Sequence, residues 1–269
     1  MNYLWWKPIR LYIKMSQHIH TTKDGSSTLF SEKFDQYYHN PNGAASESLY
    51  VFFEQSGLFK SLEKADSLTV LEIGFGTGLN FLLLAEHLKQ NHILTSVDFY
   101  SVEAFPIGKE TASGINFTDH ISDPEITDSL PQIFDSLKPG MNTFQPIEHL
   151  ELTLHLFNGF FEDFNPSNLT VDFIFHDAFS PEVNAELWKD ETFSKLAGYS
   201  HENTILTTYC AASKARAAMC VAGWYVAKAR GALGKREMTI ASRSEKKLKD
   251  FKRLNESRLS ERYLKGDFD

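Results

Sequence analysis

Cysteine is nearly absent: 269 residues hold only Cys210 and Cys220. They form neither a CxxC pair nor a metal spacing with a nearby histidine, which excludes a disulfide-stapled module and points to a reducing compartment, the cytoplasm. His18, His20, His39, His149, His155 and His176 are dispersed without an HxxxH or His-Cys grouping, so no metal site is expected. A GxSxG elbow, the usual hydrolase signal, is missing. Long apolar runs are missing as well. Met1 to Met15 carries Trp5, Trp6, Ile9, Leu11 and Ile13, but Lys7, Pro8, Arg10 and Lys14 interrupt it, so it is too short and too charged to span a membrane. It also lacks a small-residue cleavage site. Residues 1–14 are either a structural arm or lie upstream of a true start at Met15.

Positive charge is scarce overall, the formal net charge being −8, which by itself disfavours a phosphate-rich partner. The distribution of charge points the other way. From Lys228 to Asp269 there are 13 Lys and Arg against 7 Asp and Glu, leaving 14 against 28 in the rest of the chain. A polyanion-binding face needs such a gathering at one end, although a solvated terminal helix has the same composition.

The chain is long enough for one large α/β domain with a full hydrophobic core. His18 to Ser31 reads as a hairpin around Lys23-Asp24-Gly25-Ser26, and Glu32 to Ser56 as a loop followed by a helix. Leu68–Ile73 is a buried strand, Leu79–Lys89 an apolar helix and Thr95–Val102 a strand ending at Glu103, together one βαβ unit. Between Phe105 and His149 the prolines 124, 131, 139 and 146 leave room only for short helices, giving an irregular region. Further strands are read at Leu150–Phe157, Val171–Phe175 and Thr204–Tyr209, with helical spacing at Glu186–Leu196 and Ala211–Ala222. Trp224–Ala229 and Glu237–Ser242 lie too close for a helical crossover and must pair as a hairpin, placing an antiparallel strand at the sheet's edge. The expected fold is a doubly wound, Rossmann-like α/β domain with a mostly parallel sheet. Its parts are an extension over residues 1–56, a core over 57–242 and a charged tail over 243–269, helical or partly disordered.

Gly74, Gly76 and Gly78 directly follow the first core strand and open the first helix, where backbone must approach a ligand that a Cβ would meet. The sixth position of the dinucleotide fingerprint is Leu79 rather than glycine, which disfavours a nicotinamide cofactor. Glu72, two residues before the first glycine, would repel a pyrophosphate and suits a cationic ligand. S-adenosylmethionine has that character. Glu103 at the end of the second strand is placed to accept ribose hydroxyls. After the third strand, Asp163 or Glu162 can meet the adenine amino group, and Asp163 is preferred.

The fourth strand ends in His176-Asp177-Ala178-Phe179-Ser180-Pro181, setting Asp177 outside the carboxyl end of a central strand, where open α/β sheets bind ligands. Asp177 is the first catalytic candidate, Phe179 a wall of the acceptor pocket, and Pro181 a device that fixes the loop with main-chain carbonyls inward. Methyl transfer from a sulfonium requires an aligned, unprotonated acceptor, and an amine near its reference pKa of about 10 must lose a proton, which Asp177 can accept.

Several stretches together resemble the methyltransferase part of the bifunctional tRNA 5-methylaminomethyl-2-thiouridine biosynthesis protein and its single-domain relatives. They are Tyr38-His39 with Gly43-Ala44 and Glu47-Ser48, EIGFGTGLNF from Glu72 to Phe81, Ser101-Val102-Glu103, HDAFSP from His176 to Pro181 with Asn184 and Leu187-Trp188, and Gly234-Lys235-Arg236-Glu237-Met238. The likeness runs from about Phe30 to Ser242. It implies S-adenosylmethionine as cofactor, with Asn80 in the binding set. It also implies methylation of an aminomethyl group on the wobble uridine of tRNA, an unpaired anticodon-loop base that can be splayed into a pocket. Lys235 and Arg236 would then hold phosphates. Two features depart from the family: no second GxGxxG follows, so a separate enzyme supplies the aminomethyl uridine or none is needed, and Phe160 stands where the family commonly has an acid. Other readings of the same residues are an aminopropyltransferase of the spermidine synthase type, a small-molecule amine methyltransferase, and a non-catalytic RNA-binding subunit.

Overall fold

The computed structural model describes residues 17–268, so the alternatives for residues 1–14 lie outside the described residues. Strands β1 (Gln17–Thr21), β2 (Ser27–Ser31) and β3 (Gln36–Tyr37) form a three-stranded antiparallel sheet. The expected hairpin is present, its turn closed by Gly25 at φ 84°. Helix α1 (Ala44–Ser48) runs into a π-helical turn at Leu49–Glu54, followed by α2 (Leu58–Leu62). Val51, Phe52 and Phe53 on that turn are buried against the main sheet, Phe52 and Phe53 meeting Phe175.

The core then runs β4 (Ser67–Ile73), α3 (Leu79–Gln90), β5 (Ser96–Glu103), α4 (Lys109–Gly114), α5 (Pro124–Ser136), β6 (Gly140–Phe144) and β7 (Leu152–Asn158). It continues with β8 (Val171–His176), α6 (Asp190–Gly198), β9 (Ser200–Thr208), α7 (Ser213–Val221), β10 (Tyr225–Ala229), β11 (Met238–Ser242), β12 (Lys252–Arg253) and α8 (Glu256–Leu264). The nine strands from β4 onward form one sheet in the order β12-β10-β11-β9-β8-β4-β5-β7-β6. Strands β9, β8, β4, β5 and β7 are parallel. Each sheet face has its own apolar layer: one centres on Phe52, Phe81, Phe99 and Leu130, the other on Trp188, Phe193, Met219 and Trp224. Burial on both faces explains why β4 and β8 carry apolar residues at successive positions, Val70-Leu71 and Phe173-Ile174-Phe175, rather than strictly alternating ones.

Several expectations need correction. The antiparallel strand of the terminal hairpin, β11, is not at the edge but between β9 and β10. All five of its residues are buried, which an edge position would not provide, while the true edge is the short charged β12. At the opposite edge β6, with alternating burial, pairs antiparallel with β7 in a region expected to be irregular. Helix α5 passes through Pro131 because Ile126, Leu130, Ile133 and Phe134 bury one face and Asp123 caps its start, outweighing the lost hydrogen bond. The helical stretch at 186–196 is split into a 3-10 turn at Ala185–Trp188 and α6, with extended Lys189 between them. The tail is ordered through α8, whose Tyr263 hydroxyl bonds Asp190 at 3.1 Å. No helix among the described residues is long and apolar enough to cross a membrane.

One carboxylate ties the N-terminal sheet to the core. Asp24 accepts hydrogen bonds from the Ser26 hydroxyl (2.6 Å), the Ser46 amide (2.9 Å) and the Ser46 hydroxyl (2.7 Å), fixing the hairpin turn to the first turn of α1. Burial alone would raise its pKa, but the bonds from Ser26, Thr22 and Ser46 outweigh that and hold it well below the ordinary carboxylate range. Replacing Asp24 with Ala should lower the unfolding free energy by about 2 kcal/mol in urea titrations at neutral pH. A depressed folded-state value means that the wild-type advantage is complete above pH about 4 and fades as the pH falls further. Equal stability of the two proteins at pH 7 would refute the latch.

Candidate cofactor and acceptor site

The site lies where strand order reverses. Chain neighbours β4 and β5 continue the sheet one way and β8 the other, opening a crevice at their carboxyl ends. A cavity of about 600 Å³ occupies it, within the range of small-molecule sites. Its floor is the glycine turn. Gly74 has φ 98°, and a Cβ there would stand 2.7 Å from the Asp177 carbonyl oxygen. Gly76 has φ 54°, and its missing side chain leaves room for the Tyr38 ring. Gly78, at φ 74°, begins α3 and packs toward Leu130 and Phe75 instead of the cavity.

Asp177 lines the cavity directly after β8, its amide donating to the Ile73 carbonyl at 3.0 Å. The segment behind it is held by side-chain donors: the Tyr209 hydroxyl on the Ala178 carbonyl (2.8 Å), the Trp188 indole on the Phe179 carbonyl (2.7 Å), and Gln36 on Ser180 (2.6 Å). Rather than facing inward under the control of Pro181, as expected, these carbonyls are engaged by Tyr209 and Trp188. His176 is buried beneath, bonded to the Leu187 carbonyl at 2.9 Å, and burial lowers its pKa to about 4, so it packs as a neutral ring.

Glu72 does not reach the cavity. The β4–β5 register sets it beside Ser101, whose hydroxyl donates to it at 2.6 Å, and Asn80 donates to its other oxygen at 2.9 Å. Asn80 does line the cavity, and the same amide nitrogen donates to Asp177 at 3.1 Å. The Asn80 Oδ1 is buried with no partner. Burial pushes Glu72 up to about 7 against the bonds from Ser101 and Asn80. Asp177 is raised well above its ordinary value, by burial first and then by the charges of Glu72 and Glu47. Glu103 lines the cavity, accepting the amides of Gly76 (2.9 Å) and Phe105 (2.7 Å), and burial raises its pKa as well.

Beyond β7 it is Glu162, not Asp163, that borders the cavity, because the 3-10 turn at Phe161–Asp163 points Asp163 to solvent. Phe160 stands at the mouth, edge-on to Phe105 at 5.7 Å. Phe179 lines the cavity and forms one of its walls. The N-terminal extension, where sequence reasoning marks no site residue, completes that wall: Phe34 lies 4.7 Å from Phe179 and Tyr38 5.0 Å, with His39 alongside. Tyr38 and His39 stand among the stretches that carry the family resemblance, and Phe34 has no such signal. Lys235 and Arg236 lie outside the cavity lining. Lys235 pairs with Glu47 at 2.6 Å and sits over the Tyr209 ring, while Arg236 is exposed on the same loop. Among the described residues no cluster of three or more His, Cys, Asp or Glu can hold a metal ion.

An orphaned acceptor on Asn80, two neighbouring carboxyls of raised pKa and a glycine floor beside Glu103 fit a cationic nucleoside such as S-adenosylmethionine. Asn80, Asp177 and Glu103 would hold it, with Glu72 supporting from beneath.

Comparison with known proteins agrees with this fit. Residues 124–244 match a family model described as S-adenosyl-L-methionine-dependent methyltransferase. The tRNA 5-methylaminomethyl-2-thiouridine biosynthesis bifunctional protein MnmC of Cupriavidus metallidurans is 31% identical over 217 residues, covering 80% of this chain and 32% of that protein. The protein of that name from Leptospira interrogans is 31% identical over 226 residues, covering 81% and 34%. This chain therefore spans about a third of the length of these relatives. The crystal structure of MnmC2 from Aquifex aeolicus superimposes with a TM-score of 0.70 at 26% identity, covering 94% of this chain and 77% of that one.

The raised Glu72 carboxyl has a stability consequence. Its folded-state value of about 7 exceeds the unfolded one, so the folded chain holds the proton more tightly, and stability is lost as pH rises from about 4.5 to 7. Chemical denaturation of the ligand-free protein at pH 5 and pH 8 should show that loss, and Glu72→Gln should reduce it by about 2 kcal/mol. Parallel pH profiles for the two proteins would show that Glu72 titrates normally.

Proposed function

The chain is an MnmC methyltransferase-like protein of the S-adenosyl-L-methionine-dependent class, and on that premise we propose that it methylates the primary amine of an aminomethyl group on the wobble uridine of tRNA. The product would be 5-methylaminomethyl-2-thiouridine from 5-aminomethyl-2-thiouridine. The observation that carries this reading is the placement of Asp177: bonded to Asn80 on the cofactor side, beside a wall built from Phe179, Phe34 and Tyr38.

The cofactor supplies a methyl group on a sulfonium. Asp177 orients the amine and takes its proton, directly or through water, because a protonated amine has no lone pair to attack with. Phe179 offers a face to the uracil ring. Burial of the site keeps water from the amine and strengthens its bond to Asp177. Glu103 accepts ribose hydroxyls, and Asn80 receives the cofactor's ammonium. Lys235, Arg236 and the basic residues toward the C-terminus hold phosphates of the anticodon arm, and a separate enzyme supplies the aminomethyl uridine. The reading places the protein in the cytoplasm and keeps residues 57–242 as the cofactor-binding unit, with 1–56 and 243–269 as additions.

Labelled methyl transfer from S-adenosylmethionine to bulk tRNA from cells lacking this protein tests it. Wild type should label a wobble uridine, and Asp177→Ala should lower the rate by about 100- to 1,000-fold with cofactor affinity much less changed. Because Asp177 must be a carboxylate to accept the proton and its pKa is raised in the free protein, the wild-type kcat/KM for S-adenosylmethionine should climb with rising pH as Asp177 ionises. Cofactor binding without tRNA labelling would overturn the tRNA assignment and leave small amines as acceptors.

A further inference from the structure

The side chain of Asn80 is a junction with one end committed and the other open. Its nitrogen has two hydrogens, and both are engaged: one by Glu72 at 2.9 Å, one by Asp177 at 3.1 Å. Two carboxyl neighbours fix which end of the amide is nitrogen, so the other end, in a residue that borders the cavity, is a buried acceptor without a partner. A buried amide oxygen is costly to leave unpaired and selects a donor.

The groups facing Asp177 set its charge when no ligand is present. Glu72 on β4 and Glu47 on α1 present negative charge to it. Lys235, on the loop before β11, is the positive group, and Glu47 shares its charge at 2.6 Å. Tyr209, following β9, faces it as a neutral hydroxyl already given to Ala178. Two buried carboxyls bridged by one amide do not both ionise readily in that field. A donor cation at the open end of Asn80 changes the balance for both.

We propose that Asn80 is a positioning residue that couples the charge on Asp177 to occupancy of the cofactor seat: a cationic group of S-adenosylmethionine donating to Asn80 Oδ1 holds the amide on both carboxyls, and Asp177 releases its proton to solvent. The inference rests on the cofactor reading above. An opposite charge within about 4–6 Å lowers a carboxyl pKa by about 1–3 pH units, so loading the methyl donor shifts Asp177 toward the carboxylate that can serve as a base. The demethylated product keeps the ammonium and loses the sulfonium charge. It therefore supports the carboxylate less, and Asp177 keeps the proton taken from the amine until the next methyl donor binds.

Isothermal titration calorimetry in buffers of different ionisation enthalpy counts protons released on binding, without catalysis. At pH 7 wild type should release about one proton with S-adenosylmethionine and distinctly fewer with S-adenosylhomocysteine. Asn80→Leu should weaken the affinity by about tenfold or more and lose most of the release. Asn80→Ser, smaller and polar, gives the same comparison should the leucine variant misfold. Asp177→Asn should remove the Asp177 share and leave that of Glu72. Binding of S-adenosylmethionine without proton release, or equal release in wild type and both Asn80 variants, overturns the coupling while the cofactor reading stands. Folded wild type that binds neither ligand overturns the cofactor reading and the coupling with it.

Discussion

Glu72 and Asp177 belong to adjacent parallel strands and their ends, and converge on a single amide, Asn80, at the start of the helix that follows the glycine turn. Much of the site answers to that convergence. The turn must be glycine-rich because the Asp177 main chain passes within Cβ distance of Gly74. Ser101 donates to Glu72 because β5 pairs in register with β4 and sets the two side by side in the buried sheet. A carboxyl pair in such burial is unfavourable alone and favourable around a cation, so the strand ends of this fold select positive charge.

The second half of the site comes from outside the βαβ unit. The Asp24 latch fastens the N-terminal sheet against α1, and the strand that follows the hairpin then delivers Phe34 and Tyr38 onto Phe179. Gln36 bonds Ser180 from the same segment, tying the extension to the loop that bears Asp177. Cofactor side and acceptor side are therefore supplied by different parts of the chain. One is a strand-turn-helix; the other is an aromatic wall laid across it. Phe34 rests tilted against Phe179, with ring centroids 4.7 Å apart.

The part of this arrangement that sequence makes legible is local. Gly74, Gly76, Glu103 and Asp177 sit in the glycine turn and at strand ends, and such positions follow from hydrophobic period and glycine spacing, whereas Asn80, on the helix, enters through the family resemblance. What escapes depends on register and long-range packing. Glu72 reads from sequence as facing a ligand, yet only pairing with β5 determines that Ser101 and Asn80 enclose it. The pairing of Lys235 with Glu47, remote in sequence, is likewise a product of packing. Between Asp163 and Glu162, a 3-10 turn rather than a periodicity decides that Glu162 borders the cavity. At the sheet edges the hairpin is legible and its place in the order is not, since a strand's neighbours depend on which faces are covered.

The chemistry of Asp177 also bears on the kind of nitrogen it serves. An exocyclic base amine is uncharged at neutral pH, and its lone pair is delocalised into the ring, so an enzyme acting on it needs acceptors that redirect the N–H bonds. Here the neighbouring Ala178 and Phe179 carbonyls, the natural candidates for that task, are already engaged by Tyr209 and Trp188. An alkyl amine presents the opposite problem: it is a cation that must shed one proton before its lone pair exists. A single carboxyl of raised pKa answers that need, because its proton affinity lies closer to that of the ammonium than an ordinary aspartate's does. The cation is also drawn by the same negative field that opposes ionisation of Glu72 and Asp177. On this argument the chemistry of the site favours the aminomethyl acceptor proposed above, with the aromatic wall available to the ring that carries it.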